Sequence, residues 1–302
     1  MRANRDYRML INMPSEKVDM GFLKELLRLT RFEHALMLAA AVFIGETVVL
    51  RSVPQLSSMI ILSLLVPIFS EMGSFALNDY LDIETDRLNK KKERPLVKGT
   101  ISPWFALWFS VVSLSSSVLL SYFINTNAFL IALVFNLLAI AYNWKLKDLP
   151  LVGNIYIGLS MAIPFIFGNF VISDKISMLA IALALIGFVA GLAREIVKSA
   201  QDMEGDIKAR GSKTLPVVIG KTPALAIASL LYILFIPLSL SPFALGLAFS
   251  PFPACMIGIG DGLILMIVYN LITKPEDSYG FARNASLAAF AIGLVGILLS
   301  AI

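Results

Sequence analysis

Residues 56–87 read LSSMIILSLLVPIFSEMGSFALNDYLDIETDR. Up to Asp79 the stretch is apolar, with Glu71 the only charged side chain, and it then turns at once into a run of acids. A hydrocarbon core about 30 Å thick takes roughly 20 residues of helix to cross. Residues 56–79 are therefore expected to span a membrane, with the acids at one end of the helix. Eight more apolar runs bring the expected total to nine, placed at 33–50, 56–79, 103–123, 127–143, 151–172, 176–196, 223–246, 254–272 and 281–302. Between them fall turn-forming clusters such as Asn125-Thr126-Asn127 and Asp148-Leu149-Pro150.

Composition agrees. The chain has 302 residues, 58% hydrophobic and 15% charged, with mean hydropathy +0.81. A soluble domain carries about 25% charged residues, so this much apolar surface has no single globular core to hide in. The expected fold is an all-α membrane protein of nine helices around a central cavity, one transmembrane domain over 1–302. Residues 1–21 form a polar N-terminal segment with no apolar stretch resembling a signal peptide. One cysteine, Cys255, and one histidine, His34, exclude a disulfide framework, a multi-cysteine zinc site and HExxH chemistry. Any metal chemistry must come from acids.

Lysine and arginine set the expected orientation. Of 25, only Arg51 and Lys175 fall on one side; the rest lie in 1–32, 81–102, 144–150, 194–222 and 273–283. The positive-inside rule puts those segments, the N-terminus and the acid-bearing loops in the cytoplasm of a multi-pass cell-membrane protein. The same rule accounts for the charge of +4 and pI near 9.1 without nucleic acid.

At about 100° per residue, Asn78, Asp79, Asp82 and Asp86 fall at about 0°, 100°, 40° and 80°, a single stripe, with Glu84 pointing away and Glu71 on the stripe two turns deeper. The sixth span ends in a second stripe, Asp202 and Asp206, with Glu195 and Lys198 beside it and Gly205 a possible early stop. Matching Asp82 to Asp202 and Asp86 to Asp206 also brings Arg94-Pro95-Leu96-Val97-Lys98-Gly99 within one residue of Leu215-Pro216-Val217-Val218-Ile219-Gly220. A parallel internal repeat, helices 1–4 and 5–8, is expected to turn the two stripes toward one cavity.

Walls of carboxylate repel themselves, and hard divalent cations such as Mg²⁺ relieve them while leaving positions for water and phosphate. Basic residues lie at the same depth, so a magnesium-bound diphosphate fits better than a bare cation. A diphosphate site opening into hydrocarbon implies a prenyl diphosphate. No GxxxxGK[ST] loop is present for a nucleotide.

The pattern Asn78-Asp79-x-x-Asp82-x-x-x-Asp86 with Asp202-x-x-x-Asp206 resembles the two signature motifs of the UbiA superfamily of intramembrane prenyltransferases. Tyr142 to Lys147 resembles its third element, with lysines at +3 and +5 from the tyrosine where the family has one at +4. The resemblance implies two Mg²⁺ ions on Asn78, Asp82, Asp86, Asp202 and Asp206, with Asp79 as a further ligand or support. Arg31, Arg87, Arg94, Lys145, Lys147, Lys198 and Lys213 would bind diphosphate, and Tyr142 would steady developing positive charge or donate to a phosphate oxygen. The catalytic set is Asp79, Asp82, Asp86, Asp202, Asp206 and Tyr142. The reaction implied is metal-assisted ionisation of a prenyl diphosphate, geranyl to geranylgeranyl or longer, and capture by a lipophilic or aromatic acceptor. That acceptor is either geranylgeranylglyceryl phosphate, in archaeal lipid synthesis, or a quinone precursor. A cation-coupled transporter and a prenyl-diphosphate phosphatase are the rival readings. Glu46, Asp261 and His34 are expected to pair locally or sit at the interface.

Overall fold

The computed structural model describes residues 15–302, with side chains from residue 21 onward except at 209 and 210. The segment expected at 1–21 therefore lies mostly outside the described residues. Among those described, nine helices are long and apolar enough to cross a membrane. A helix not expected from the sequence, α1 (Ser15–Thr30), precedes them. Its apolar residues Phe22, Leu26 and Leu29 recur at helical spacing with Lys24, Glu25 and Arg28 between, a pattern too short for a span but right for a helix lying at a surface.

The spans are α2 (Phe32–Leu50), α3 (Ser58–Leu81), α6 (Pro103–Tyr122), α7 (Thr126–Trp144), α8 (Val152–Ile172), α9 (Met178–Arg210), α11 (Lys221–Ser239), α13 (Pro251–Thr273) and α14 (Tyr279–Ala301). Between α3 and α6 lie two short helices, α4 (Ile83–Leu88) and α5 (Pro95–Lys98). Short α10 (Leu215–Ile219) follows α9, and α12 (Ser241–Ala244) follows α11. N-caps are supplied by Ser57, Ser102, Asn125 and Ser177, whose side chains accept from amides of the first turn.

Helix α9 is the most enclosed span; it packs against α8 and α11 and also meets α14 and α2. Lipid tails are as apolar as leucine, so close backbone approach decides which helices meet. A Cβ on Gly187 of α9 would lie 2.4 Å from the Met161 carbonyl of α8, and one on Gly168 of α8 would lie 2.6 Å from that of Val42 on α2. Outward-facing side chains such as Trp108, Leu230 and Ile272 are more than half exposed, as lipid-facing positions are. At the end opposite the acid motifs, Arg51 donates to the carbonyl of Gly246 at 2.6 Å and fastens the α2 terminus to the α12–α13 loop.

Two expectations change. Helix α3 stops at Leu81 and Asp82 caps both it and α4, so the acid stripe bends at its middle; Asp86 N–H still donates to Asp82 O at 2.7 Å, which keeps the face roughly in phase. Gly205 does not end α9. The helix runs to Arg210, where Gly211 takes the left-handed conformation (φ 63°) that a side chain would resist.

Candidate functional site

The stripe on α3 and α4 is buried and cross-tied. Asp79 is 2% exposed and accepts from Arg94 in a close ion pair and from Arg31 at 3.3 Å, while its Oδ2 has no partner. Asp86, 3% exposed, pairs with Lys91 at 2.9 Å and Arg94 at 3.8 Å. Asp82 accepts from Lys147 at 2.7 Å and from Asn78 Nδ2 at 3.1 Å. The basic partners come from three segments: Arg31 from the α1–α2 joint, Lys91 and Arg94 from the loop before α5, and Lys147 from the 3₁₀ turn Leu146–Asp148.

Arg31 itself adopts φ 45°, uncommon outside glycine, and its guanidinium lies 4.1 Å over the Phe75 ring as well as on Asp79. Burial pushes this guanidinium below its ordinary pKa and the neighbouring Arg94 adds to the effect, while Asp79 opposes both. It stays charged, because arginine has pKa to spare.

The second stripe differs. Asp202 is exposed and Asp206 half-buried on the last turns of α9. The last turns of α9 lie beside the first motif: α4 contacts α9, and a Cβ on Gly205 would lie 3.8 Å from Asn89 Oδ1. The loop after α9 is pinned to the third element, with Ser212 Oγ donating to Asp148 at 2.6 Å and Lys213 N–H to the Asp148 carbonyl at 3.0 Å. Residues well over a hundred apart thus meet at one end of the bundle.

Of the basic residues expected at the diphosphate, Arg31, Arg94 and Lys147 are gathered there. Arg87 turns outward onto Glu84 (2.8 Å) and Lys198 onto Glu195 (3.1 Å), while Lys145 and Lys213 are exposed at the rim. Asn143 and Tyr156, neither of them singled out from the sequence, complete the cluster. Asn143 accepts from Asn78 at 2.9 Å and donates to the Ser74 carbonyl and hydroxyl at 3.2 Å, and Tyr142 stacks on Tyr156 at 4.3 Å. Lone asparagines and tyrosines in spans carry no spacing signal, so only the contacts reveal them.

Beneath this cluster, a narrow cavity runs between α2, α3, α6, α7 and α8. Ser74, Glu71 and Tyr156 are among its polar residues; Val42, Val66, Ile131 and Phe167 line its apolar part. Pro67 and Pro164 also face it, each removing a rung from its helix's hydrogen-bond ladder.

Among the described residues no three acidic side chains form a ready metal cage. What the fold offers is two banks of carboxylate and amide oxygen donors, one of them holding a buried, unpartnered Asp79 Oδ2. That set suits Mg²⁺, which binds few protein groups and fills its shell with water and phosphate.

Residues 36–291 match the UbiA prenyltransferase family. The chain belongs to that family. Among its relatives is the digeranylgeranylglyceryl phosphate synthase of Archaeoglobus fulgidus, 35% identical over 91% of this chain and 94% of the relative. The enzyme of the same name from Thermococcus kodakarensis is 34% identical over 84% and 88%. A solved structure concerning digeranylgeranylglyceryl phosphate synthase in membranes shares 30% identity, with TM-score 0.76, over 93% of this chain and 99% of that one. In fold the chain also resembles a UbiA homolog from Archaeoglobus fulgidus bound to DMAPP and Mg²⁺, at 22% identity and TM-score 0.65, over 90% of this chain and 99% of that one. This UbiA-family chain is a multi-pass membrane prenyltransferase.

Proposed function

We propose that this protein transfers a prenyl group from a prenyl diphosphate, held through Mg²⁺, to the hydroxyl of geranylgeranylglyceryl phosphate. The observation that carries the reading is the apolar cavity ending beneath a cluster that pairs carboxylates with Arg31, Arg94 and Lys147. A diphosphate with a hydrocarbon tail matches both halves of that arrangement. The acceptor follows the relatives, which are named as synthases of digeranylgeranylglyceryl phosphate; a quinone precursor has no such support.

In this reading Asn78, Asp82, Asp86, Asp202 and Asp206 would hold two Mg²⁺ ions. When bound, magnesium supplies Lewis-acid withdrawal of charge from the leaving diphosphate. Arg31, Arg94 and Lys147 neutralise the phosphate oxygens, moving from carboxylate to phosphate as ions and substrate enter. The C1–O bond breaks and the allylic carbon gains positive charge, which the faces of Tyr142 and Tyr156 stabilise. The cavity's packed walls keep water away, so the acceptor hydroxyl attacks in place of hydrolysis. The motif end faces the cytoplasm, on the strength of 23 of 25 basic residues. A parallel repeat is supported by α5 and α10, each with a proline in its first two residues and ending at a positive-φ glycine, Gly99 or Gly220.

Purified protein in nanodiscs, given geranylgeranyl diphosphate, Mg²⁺ and either geranylgeranylglyceryl phosphate or a hydroxybenzoate, tests this by product mass. An ether lipid from wild type, lowered about 100-fold or more with Asp82→Ala and Asp202→Ala, is expected. Free prenol without adduct, or a prenylated phenol alone, would overturn it.

A further inference from the structure

Among the described residues Glu71 is the one carboxylate facing the cavity, and the mechanism proposed for prenyl transfer does not use it. Among the described residues it holds no hydrogen bond or ion pair, which sets it apart from the other intramembrane acid nearby. Glu46 is fully buried and accepts from Ser63 at 2.5 Å. Leaving a carboxylate without a partner in a membrane interior is costly, and Glu71 is half-buried beside open space rather than packed away.

We propose that Glu71 is the proton acceptor for the attacking hydroxyl. The inference rests on the prenyl-transfer reading and adds a named base to it. Glu71 lies seven residues from Asn78 on the same helix, about 10.5 Å along the axis at about 1.5 Å per residue. A nucleophile stands about 3–3.5 Å beyond the carbon it attacks, and its base about 3 Å farther. With the reach of the diphosphate added, the base belongs roughly 10 Å from the metal ligands, on the far side of C1. Glu71 meets that distance and faces the same space. Arg31, clamped to Asp79 and lying over Phe75, is within electrostatic reach of Glu71. Tyr156, which faces the same cavity, is the other titratable side chain there.

In the step, the acceptor oxygen's lone pair forms the new bond to C1, and the C1–O pair leaves with the diphosphate. The hydroxyl proton passes to a Glu71 carboxylate oxygen, and from there to water once the products depart. No oxidant or further reactant is required.

The test is steady-state kinetics of the full chain in nanodiscs with Mg²⁺, geranylgeranyl diphosphate and geranylgeranylglyceryl phosphate. Glu71→Gln is expected to lower kcat about 100-fold or more, with the donor KM within about threefold of wild type. Glu46→Gln is expected to turn over normally. Turnover of Glu71→Gln within about threefold of wild type would overturn the proposal. So would a raised KM at unchanged kcat, or an equal loss in Glu46→Gln. Should glutamine not be accommodated in the fold, Glu71→Ala is assayed with and without formate: restored turnover supports the base, and an unresponsive loss refutes it. If wild type prenylates a phenol and not the glyceryl phosphate, the acceptor reading fails, and Glu71 is judged by the same variants on the phenol.

Discussion

The two acid banks carry the same residue types and are built differently. On α3 and α4 Asp79 and Asp86 are buried and Asp82 half-buried, and all three are paired with Arg31, Lys91, Arg94 or Lys147. On α9, Asp202 stands exposed beyond the core, and Glu204, which points elsewhere, pairs with Lys221 at 3.4 Å. The first bank is part of the architecture: it joins the α1–α2 joint, the α5 loop and the third element into one scaffold. The second is less enclosed, with Asp202 exposed and Asp206 half-buried on the last turns of α9. Substitutions should therefore separate stability from catalysis along this line.

The largest effect is expected at Asp79. Asp79→Ala leaves two guanidinium groups without their buried carboxylate, and losing one partner of a buried pair costs about 3–5 kcal/mol; thermal unfolding in detergent should show a clear drop, with activity lost as well. Asp202→Ala is the counterpart. Product formation should fall about 100-fold, equivalent to about 2.7 kcal/mol of transition-state stabilisation, while the unfolding temperature stays within about 1 °C, as exposed substitutions do. A matching drop in stability there would erase the distinction between the banks.

Lys147→Met releases Asp82 from its cation and removes a phosphate partner, so the donor KM should rise about tenfold, about 1.4 kcal/mol. The smallest effect is at Glu25 on α1. It accepts from Lys98 at 2.9 Å and Thr100 at 3.1 Å, tying α1 to the loop that carries Arg94. The Lys98 hydrogen bond holds this carboxyl below its usual value against the cost of burial, with Thr100 and Arg28 adding. The pair's contribution is thus present above the unfolded carboxylate pKa and disappears as pH falls through the lower folded value. Lys98 is nearly half exposed, so Glu25→Gln should cost less than about 1 kcal/mol at pH 7. The gap in unfolding temperature from wild type should close in acid.

Much of this was legible in the chain because membrane spans and acid stripes are local patterns. Nine apolar runs gave nine helices, and the helical phase of Asn78, Asp82 and Asp86 put them on one face. The bend at Asp82 was hidden, since nothing in LDIETD forces a break. The pairing of Lys91 with Asp86 was hidden too, because three consecutive lysines read as a solvated anchor. Asn143 and Tyr156 become visible only when α7 and α8 pack beside α3. Helix α1 escaped because its amphipathic pattern is too short to count as a span.

The central claim is that both banks grip one diphosphate through magnesium. Isothermal titration with geranylgeranyl thiolodiphosphate, a donor whose carbon–sulfur bond resists cleavage, tests this directly in wild type, Asp82→Asn and Asp202→Asn, with and without Mg²⁺. The account predicts tight, Mg²⁺-dependent binding in wild type that either single substitution removes. Wild-type affinity with intact Mg²⁺ dependence in either variant would contradict it.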